Sequence, residues 1–486
     1  MFYRKAPFVF VLGHMRIYSC DVAVIGAGIS GMIAAVRSAQ GGKRVLVFEK
    51  SPEQRYVCNS RITGGIWHCC QRDIQSDPGE LEQAIGLATG GAARSDLAKA
   101  VASDGIRVVR WMQKTGIRFI KGPYDYQSFM LSPPTLTVQS RQWEGRGGDV
   151  MLRTFEGRLV ELGGQLHRGH RAISLRKGED GVLSGFVGES ADGKFEVAAT
   201  HTVIADGGFQ ANEELIKGPI TASPQSLFQR NACTGTGDGL RMAIEAGAAS
   251  SDMRGFYGHI LSKNVFSNEK LWPYAWLDFV AAAGIVVTKS GMRFDDEGLG
   301  GVHMANAIAE LPDPLSTFVI ADENIWKERG TFNFIPPNPN LPNWGGVLHK
   351  ANSLGELADI AGIDGDIFLR EVQDYNSALG QADLERLRPR RSSHKFIPYP
   401  IVTAPFFAIP VCAGITYTMG GISIDDHSRV LGTDGRALPG LLAVGCSTGG
   451  LEGGKVKGYV GGLVKSSVTG LRAAEHILGI LDSPNA

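Results

Sequence analysis

The chain has 486 residues, more than one hydrophobic core ordinarily supports, so two domains, or one interrupted by another, are expected. Its 49 Lys and Arg balance 49 Asp and Glu, and a net charge of zero provides no long-range field to gather nucleic acid or an anionic membrane surface. Its 64 glycines fall largely as pairs and GxG triplets inside apolar runs, a usage that lets backbone approach a small ligand.

Residues 1–14 carry Arg4, Lys5 and the short apolar run FVFVL, which is too short for the apolar core of a secretory leader and has no small-residue cleavage site after it. Met15 restarts the chain just before a strand, so the segment reads as an upstream start or an appended remnant. No stretch reaches the roughly 20 apolar residues of a membrane span. Seven cysteines, irregularly spaced and including the adjacent Cys69 and Cys70, make a poor disulfide framework and suit a reducing cytoplasm. No His/Cys spacing suits zinc or haem, and no metal is expected.

Residues 21–25 (DVAVI) predict a buried strand, GAGISG opens an Ala-rich helix through Gln40, and RVLVFEK predicts a second strand, together a βαβ unit. From about 154 to 204, alternating apolar and polar residues with Gly-containing turns predict a β-meander ending in TVIADGGF. Between 256 and 415 aromatics gather in LWPYAWLDF, and IPPNPNLPNW is too Pro-rich for the interior of a helix or sheet, which marks an inserted cap. Trp272, Tyr274 and Trp276 wall a pocket there or form the cap's own core. The last seventy residues return to strand and glycine patterns, with a helix from about Gly461 to Leu478. The expected fold is α/β: a Rossmann-like domain of the glutathione-reductase type, built from 17–255 and 416–486, with an α+β cap at 256–415.

Gly26, Gly28 and Gly31 form GxGxxG between strand and helix, where the first allows the tight turn and the second admits a pyrophosphate at the helix N-terminus. Glu49 closes the second strand about 20 residues later, the place of an acid that bonds an adenosine ribose and disfavours a 2′-phosphate.

Seven segments carry a resemblance that covers the chain from about 17 to 478: GAGISG, CNSRITGG, IADGGF, GTGDGLRMAIEAGA, GIVVTKSGMRFDDE, YTMGGISID and LPGLLAVGCSTGG. In these the chain resembles the fumarate reductase and ketosteroid dehydrogenase flavoproteins. The resemblance implies FAD lying where the first domain meets a mobile cap. It places Asn59, Ser60, Thr63, Gly64 and Gly65 along the flavin ring, and Ala205, Asp206 and Gly207 near the adenosine, with Asp238 close by. Ile29, Ser30, Lys50, Ala172, Gly445, Gly461, Gly462 and Leu463 complete the implied cofactor set. Relatives with covalent flavin carry a histidine near Cys58; none stands here, so noncovalent FAD is expected. Arg293, Phe294 and Glu297 read as a brace at a domain junction.

Several positions depart from the reductases. Their proton-delivering arginine falls at Gly301, their carboxylate-clamping arginine at Tyr459, and the histidine before TMGG at Tyr417. Their proton-relay pair falls near Leu277 and Val280, a stretch read as holding nothing that ionises. Tyrosines cannot replace the charge or the bidentate bonds of arginines, so a dicarboxylate substrate is disfavoured. Phenols facing a flavin resemble the ketosteroid dehydrogenases, and the pattern fits a neutral or cyclic ketone. The tyrosine those enzymes use as base is missing from GLGGVHMAN, where His303 alone has a basic side chain; His259 occupies the place of a substrate-binding histidine. The expected function is α,β-dehydrogenation of a ketone by Tyr459, Tyr417, His259 and His303. The alternatives are an ene reductase or, less favoured, a flavin-binding electron-transfer scaffold. An external electron acceptor or donor completes the expected partners.

Overall fold

The computed structural model describes residues 8–12, 15–135, 142–178, 181–272, 277–331 and 340–481. Two sheets organise it. In the larger, the strand Met15–Ile25 pairs in parallel with Val45–Glu49 on one side and Gly193–Ile204 on the other. The parallel ladder extends to Gln165–Arg168 at one end and Ala437–Ala443 at the other, beyond which Arg429–Leu431 adds an antiparallel edge. The runs VAVI and VLVF are buried, as a parallel sheet covered on both faces requires. The helix Ile29–Gln40 covers one face and is itself packed by Gly462–Leu478.

The stretch read as a meander from 154 begins instead inside the helix Gly147–Glu161. Met151, Leu152, Phe155 and Leu159 recur at helical spacing and are buried, a period that counting alternations overlooks. The antiparallel meander starts at Arg171–Lys177, turns through Leu183–Ser190 and enters Gly193–Ile204. It thereby brings Ala205 and Asp206 to the carboxyl end of the parallel sheet.

The second sheet is built on Phe406–Thr418, a long strand flanked by Phe256–Ser262, Thr317–Asp322 and His349–Ala351, with Ile285–Thr288 beyond. It reaches past 256–415 in both directions: Phe228–Gln229 pairs with Gly414 and Ile415, and the long strand runs to Thr418 before the chain re-enters the first sheet. Arg293 Nε and Nη2 lie 2.9 and 2.5 Å from the Glu297 oxygens, with Arg391 facing the same carboxylate and all three sealed from solvent. Glu297 also accepts the Val286 amide, so this brace works inside the second unit rather than between the two. Trp272 is buried, while Tyr274, Trp276 and residues 332–339 lie outside the described residues. None of the described helices is long and apolar enough to cross a membrane.

Candidate active site

Ile25, Glu49 and Ala205 lie at the carboxyl ends of the three central strands and open onto a cleft, where parallel α/β sheets bind ligands. Gly26 adopts φ +99°, and a Cβ there would stand 2.6 Å from the Ala205 carbonyl oxygen, so the turn closes only without a side chain. A Cβ on Gly31, behind the cleft, would meet the Gly26 carbonyl at 2.2 Å. At Gly28 it would meet only Ser60 Oγ, at 3.4 Å, so this face of the turn stays open. The helix Ile29–Gln40 begins with no side-chain cap and no acid in its first turn, which leaves its positive end facing the cleft; Ser60 Oγ accepts the Ile29 amide at 3.0 Å.

The Glu49 carboxylate accepts the amides of Ala27 (3.2 Å) and Ser51 (3.0 Å), which fixes it at the rim where a ribose hydroxyl would bond. Asp206 accepts the Gly239 amide at 2.7 Å and the Ser447 hydroxyl at 3.1 Å, and burial pushes its carboxyl up to about 6. Gln210 Oε1 is buried, has no hydrogen-bond partner among the described residues and belongs to a side chain lining the cleft, an acceptor suited to an N–H or hydroxyl of a ligand. A glycine cradle, a positive helix end, a carboxylate fixed at the rim and an orphaned acceptor fit the adenosine diphosphate half of FAD.

Ser30, Ala172 and Gly207 also line this cleft, as do Lys50 and Asp238. Both of the last two are already engaged. Lys50 Nζ donates to the Thr234 carbonyl and the Thr236 hydroxyl at 2.7 and 2.8 Å. Burial works against the Asp238 carboxylate, yet hydrogen bonds from Arg171 and the nearby Lys50 hold it below its usual range. His170, Arg171, Gln210 and Cys446 line the cleft without having been foreseen, because they arrive from the meander and from distant loops.

Towards the second sheet, Asn59 Nδ2 donates to the Thr416 carbonyl at 3.0 Å and Asn59 Oδ1 accepts the Ala232 amide at 2.9 Å, stitching the loop of the first unit to the edge of the second. Thr63 Oγ1 accepts the Gly65 amide, and a Cβ on Gly64 would meet nothing within 4 Å, so there is space beside this loop. Gly445 packs on Ser30. Gly461, Gly462 and Leu463 open the helix Gly462–Leu478, and a Cβ on Gly462 would lie 3.1 Å from the Tyr417 hydroxyl.

A cluster of aromatic and ionisable groups stands at that helix start. Tyr257 and Tyr417 are cross-strand partners, and a bulge after Tyr257 re-aims the strand, keeping His259 beside it. The Tyr257 and Tyr459 rings stack with centroids 3.9 Å apart. Tyr417 donates to the buried Glu452 carboxylate at 3.0 Å; the same carboxylate accepts the Val460 and Gly461 amides and lies 3.4 Å from Lys465 Nζ. Burial, then the Glu452 charge, raise Tyr417 far above the usual phenol range. His259 Nδ1 lies 2.6 Å from Asp278 Oδ2 and its Nε2 lies 3.1 Å from the Tyr257 hydroxyl. The stretch around Leu277 and Val280 therefore does hold an ionisable group, Asp278, whose other oxygen accepts the Ile260 amide at 2.8 Å. A Cβ on Gly301 would fall 2.1 Å from the Asp278 carboxyl carbon, so the carboxylate occupies the space that a side chain at 301 would need.

The structure thus brings Tyr459, Tyr417 and His259 together. His303 shares no hydrogen bond with these three among the described residues: on the helix Gly301–Glu310 its Nε2 lies 3.1 Å from Asp295 Oδ1, and its Nδ1 is buried with no partner among them. Sequence reasoning missed Tyr257, Asp278, Glu452 and Arg230, whose Nη1 donates to Thr416 Oγ1 at 3.0 Å. Only Tyr257 left a signal, its two-residue spacing from His259 on one strand.

The FAD binding domain family matches residues 21–458. The chain is 26% identical over 446 residues to the fumarate reductase (cytochrome) of Shewanella frigidimarina, covering 89% of this chain and 72% of that one. It is 28% identical over 356 residues to the 4-oxocyclohex-2-ene-1-carboxylate 5-dehydrogenase of Sinomonas cyclohexanicum, covering 68% of this chain and 59% of the relative. Its fold is that of the 3-ketosteroid delta1-dehydrogenase of Sterolibacterium denitrificans, with a TM-score of 0.71 at 22% identity over 95% of this chain and 99% of that one.

Proposed function

The chain belongs to the FAD binding domain family, and from that premise we propose that it is an FAD-dependent oxidoreductase acting on the CH–CH bond beside the carbonyl of a cyclic ketone. Bound flavin supplies the hydride acceptor. The residues of the first unit that frame the cleft hold the dinucleotide, and those of the second unit and the helix Gly462–Leu478 handle the substrate.

The observation that carries this reading is the tyrosine cluster at the start of that helix. The hydroxyl of Tyr417 is committed to Glu452, which leaves Tyr459 as the phenol for a substrate carbonyl. A carbonyl oxygen docked on Tyr459 gains negative charge as the α-proton leaves, and the positive end of the helix stabilises that charge. Tyr417, held by Glu452, supports that phenol from the neighbouring strand. No pair of arginines clamps a dicarboxylate at positions 301 and 459, where this chain has Gly301 and Tyr459. Arg230 brings one positive charge near Tyr257 and His259, so a ring bearing a single carboxylate is accommodated as well as a neutral one. The similarity to a dehydrogenase of a cyclic oxo acid supports the same substrate class.

The reverse reaction, reduction of an enone with electrons from an external donor, uses the same contacts, and the similarity to a fumarate reductase favours testing both directions. Oxidised holoenzyme mixed anaerobically with cyclic ketones, with and without a carboxylate, is expected to lose its visible flavin band. Tyr459→Phe is expected to slow that bleaching about 10²- to 10³-fold, the usual effect of losing one oxyanion donor. Bleaching by succinate alone, or undiminished rates in Tyr459→Phe, would overturn the reading.

A further inference from the structure

We propose that Tyr257 is the base that takes the substrate's α-proton, and that His259 and Asp278 are positioning residues that make it one, as a Tyr–His–Asp chain ending in the carboxylate beside Gly301. The proposal rests on the ketone reading above and assigns the proton's path within it.

The geometry fixes the direction of the chain. A carboxylate only accepts, and Asp278 takes the Ile260 amide on one oxygen and His259 Nδ1 on the other, so Nδ1 carries the imidazole proton. In the neutral imidazole Nε2 is then a lone pair, and it faces the Tyr257 hydroxyl at 3.1 Å. Burial lowers the His259 pKa against the pull of Asp278, which keeps that lone pair present at neutral pH. Stacking at 3.9 Å sets the Tyr257 ring beside that of Tyr459, so a ketone whose oxygen rests on the second phenol has its α-carbon within reach of the first. The bulge after Tyr257, the absent side chain at Gly301 and the placement of Asp278 at the start of the helix Asp278–Ala283 all serve this contact.

The step balances as follows. The α C–H bond breaks and its proton passes to the Tyr257 oxygen, while the proton of Tyr257 passes to His259 Nε2. The electron pair left behind forms the enolate, whose oxygen rests on Tyr459. With flavin bound, the acceptor it would supply would take the hydride of the β-carbon, the enolate would collapse to the enone, and the extra proton would reside on an imidazolium paired with Asp278.

The test separates proton transfer from hydride transfer. Holoenzyme whose flavin is held reduced cannot accept hydride, yet in D2O it is expected to exchange α-protons of a saturated cyclic ketone, followed by mass spectrometry. Tyr257→Phe is expected to cut exchange about 100-fold or more, with little change in ketone binding. Asp278→Asn is expected to cut it less and to lower the pH at which exchange falls off as His259 takes up a proton, His259 being faced by Asp278, Arg230 and Tyr257, with Tyr459 and Glu452 behind. Asp278→Glu should recover part of the rate. In ¹⁵N-histidine spectra of the same holoenzyme, His259 should appear as the Nδ1–H tautomer in wild type and lose that form in Asp278→Asn. Wild-type exchange unchanged in folded, flavin-loaded Tyr257→Phe and Asp278→Asn would sink the relay while leaving the ketone reading intact. Wild type that neither exchanges nor bleaches with any ketone would sink both.

Discussion

His68 sits against Tyr459, ring centroids 5.6 Å apart, and burial drops its imidazole to about 4. A histidine whose folded pKa lies below its unfolded value contributes stability that is present above about 6.5 and is lost as the pH falls towards 4. Asp206 acts with the opposite sign: its raised carboxyl favours the fold below about 4 and that contribution fades as the pH rises through 6. The melting temperature of His68→Gln is therefore expected to vary less than wild type between pH 6.5 and 4, measured by thermal melts across that range. Equal slopes in the two proteins would remove His68 as a contributor. At this scale the sequence was informative where chemistry is local. Gly28 and Glu49 belong to one strand–helix–strand unit, so spacing alone pointed to two residues that line the cleft. Asp278 meets His259 across 19 positions and Glu452 meets Tyr417 across 35, and no pattern within either segment announces a partner.

Gly31 is where helix and turn come closest, since a side chain there would press on the Gly26 carbonyl at 2.2 Å. Gly31→Ala is expected to push the helix Ile29–Gln40 away from the turn, destabilising the protein by about 1–3 kcal/mol, the usual cost of overpacking. Because the same turn lines the cleft proposed for the dinucleotide, the purified variant should also show a lower ratio of flavin to protein absorbance; retention equal to wild type would contradict that coupling. Among the elements, the first βαβ unit and the final helix were readable because their apolar periods are long and uninterrupted. The helix Gly147–Glu161 was not, because its polar residues fall between apolar ones in a way that short windows score as alternation. Phe228–Gln229 is too short to carry a period at all, and its membership of the second sheet is decided by pairing with Phe406–Thr418.

Across the whole molecule, Asn59 is a joint between the two sheets' territories. Asn59→Ala leaves the Thr416 carbonyl and the Ala232 amide without this partner, a loss of about 1–3 kcal/mol where such groups are buried. Hydrogen exchange is expected to rise at the amides of residues 232 and 414–418 while the central strands of the first sheet stay protected; a uniform rise would mean that Asn59 supports global stability rather than the joint. The Phe406–Thr418 strand gathers much of the site, since Thr416 holds Asn59 and Arg230, Tyr417 reaches Glu452, and its neighbour presents Tyr257 and His259. That strand is also the path by which the chain leaves the second unit, and Tyr459 follows it. On the ribosome, the glycine turn that receives the dinucleotide emerges early, and the phenol assigned to the substrate emerges almost last. Cys446 and Ser466 line the same cleft as that turn, so a nascent chain completes its dinucleotide cleft and its substrate phenol at the same late stage of synthesis.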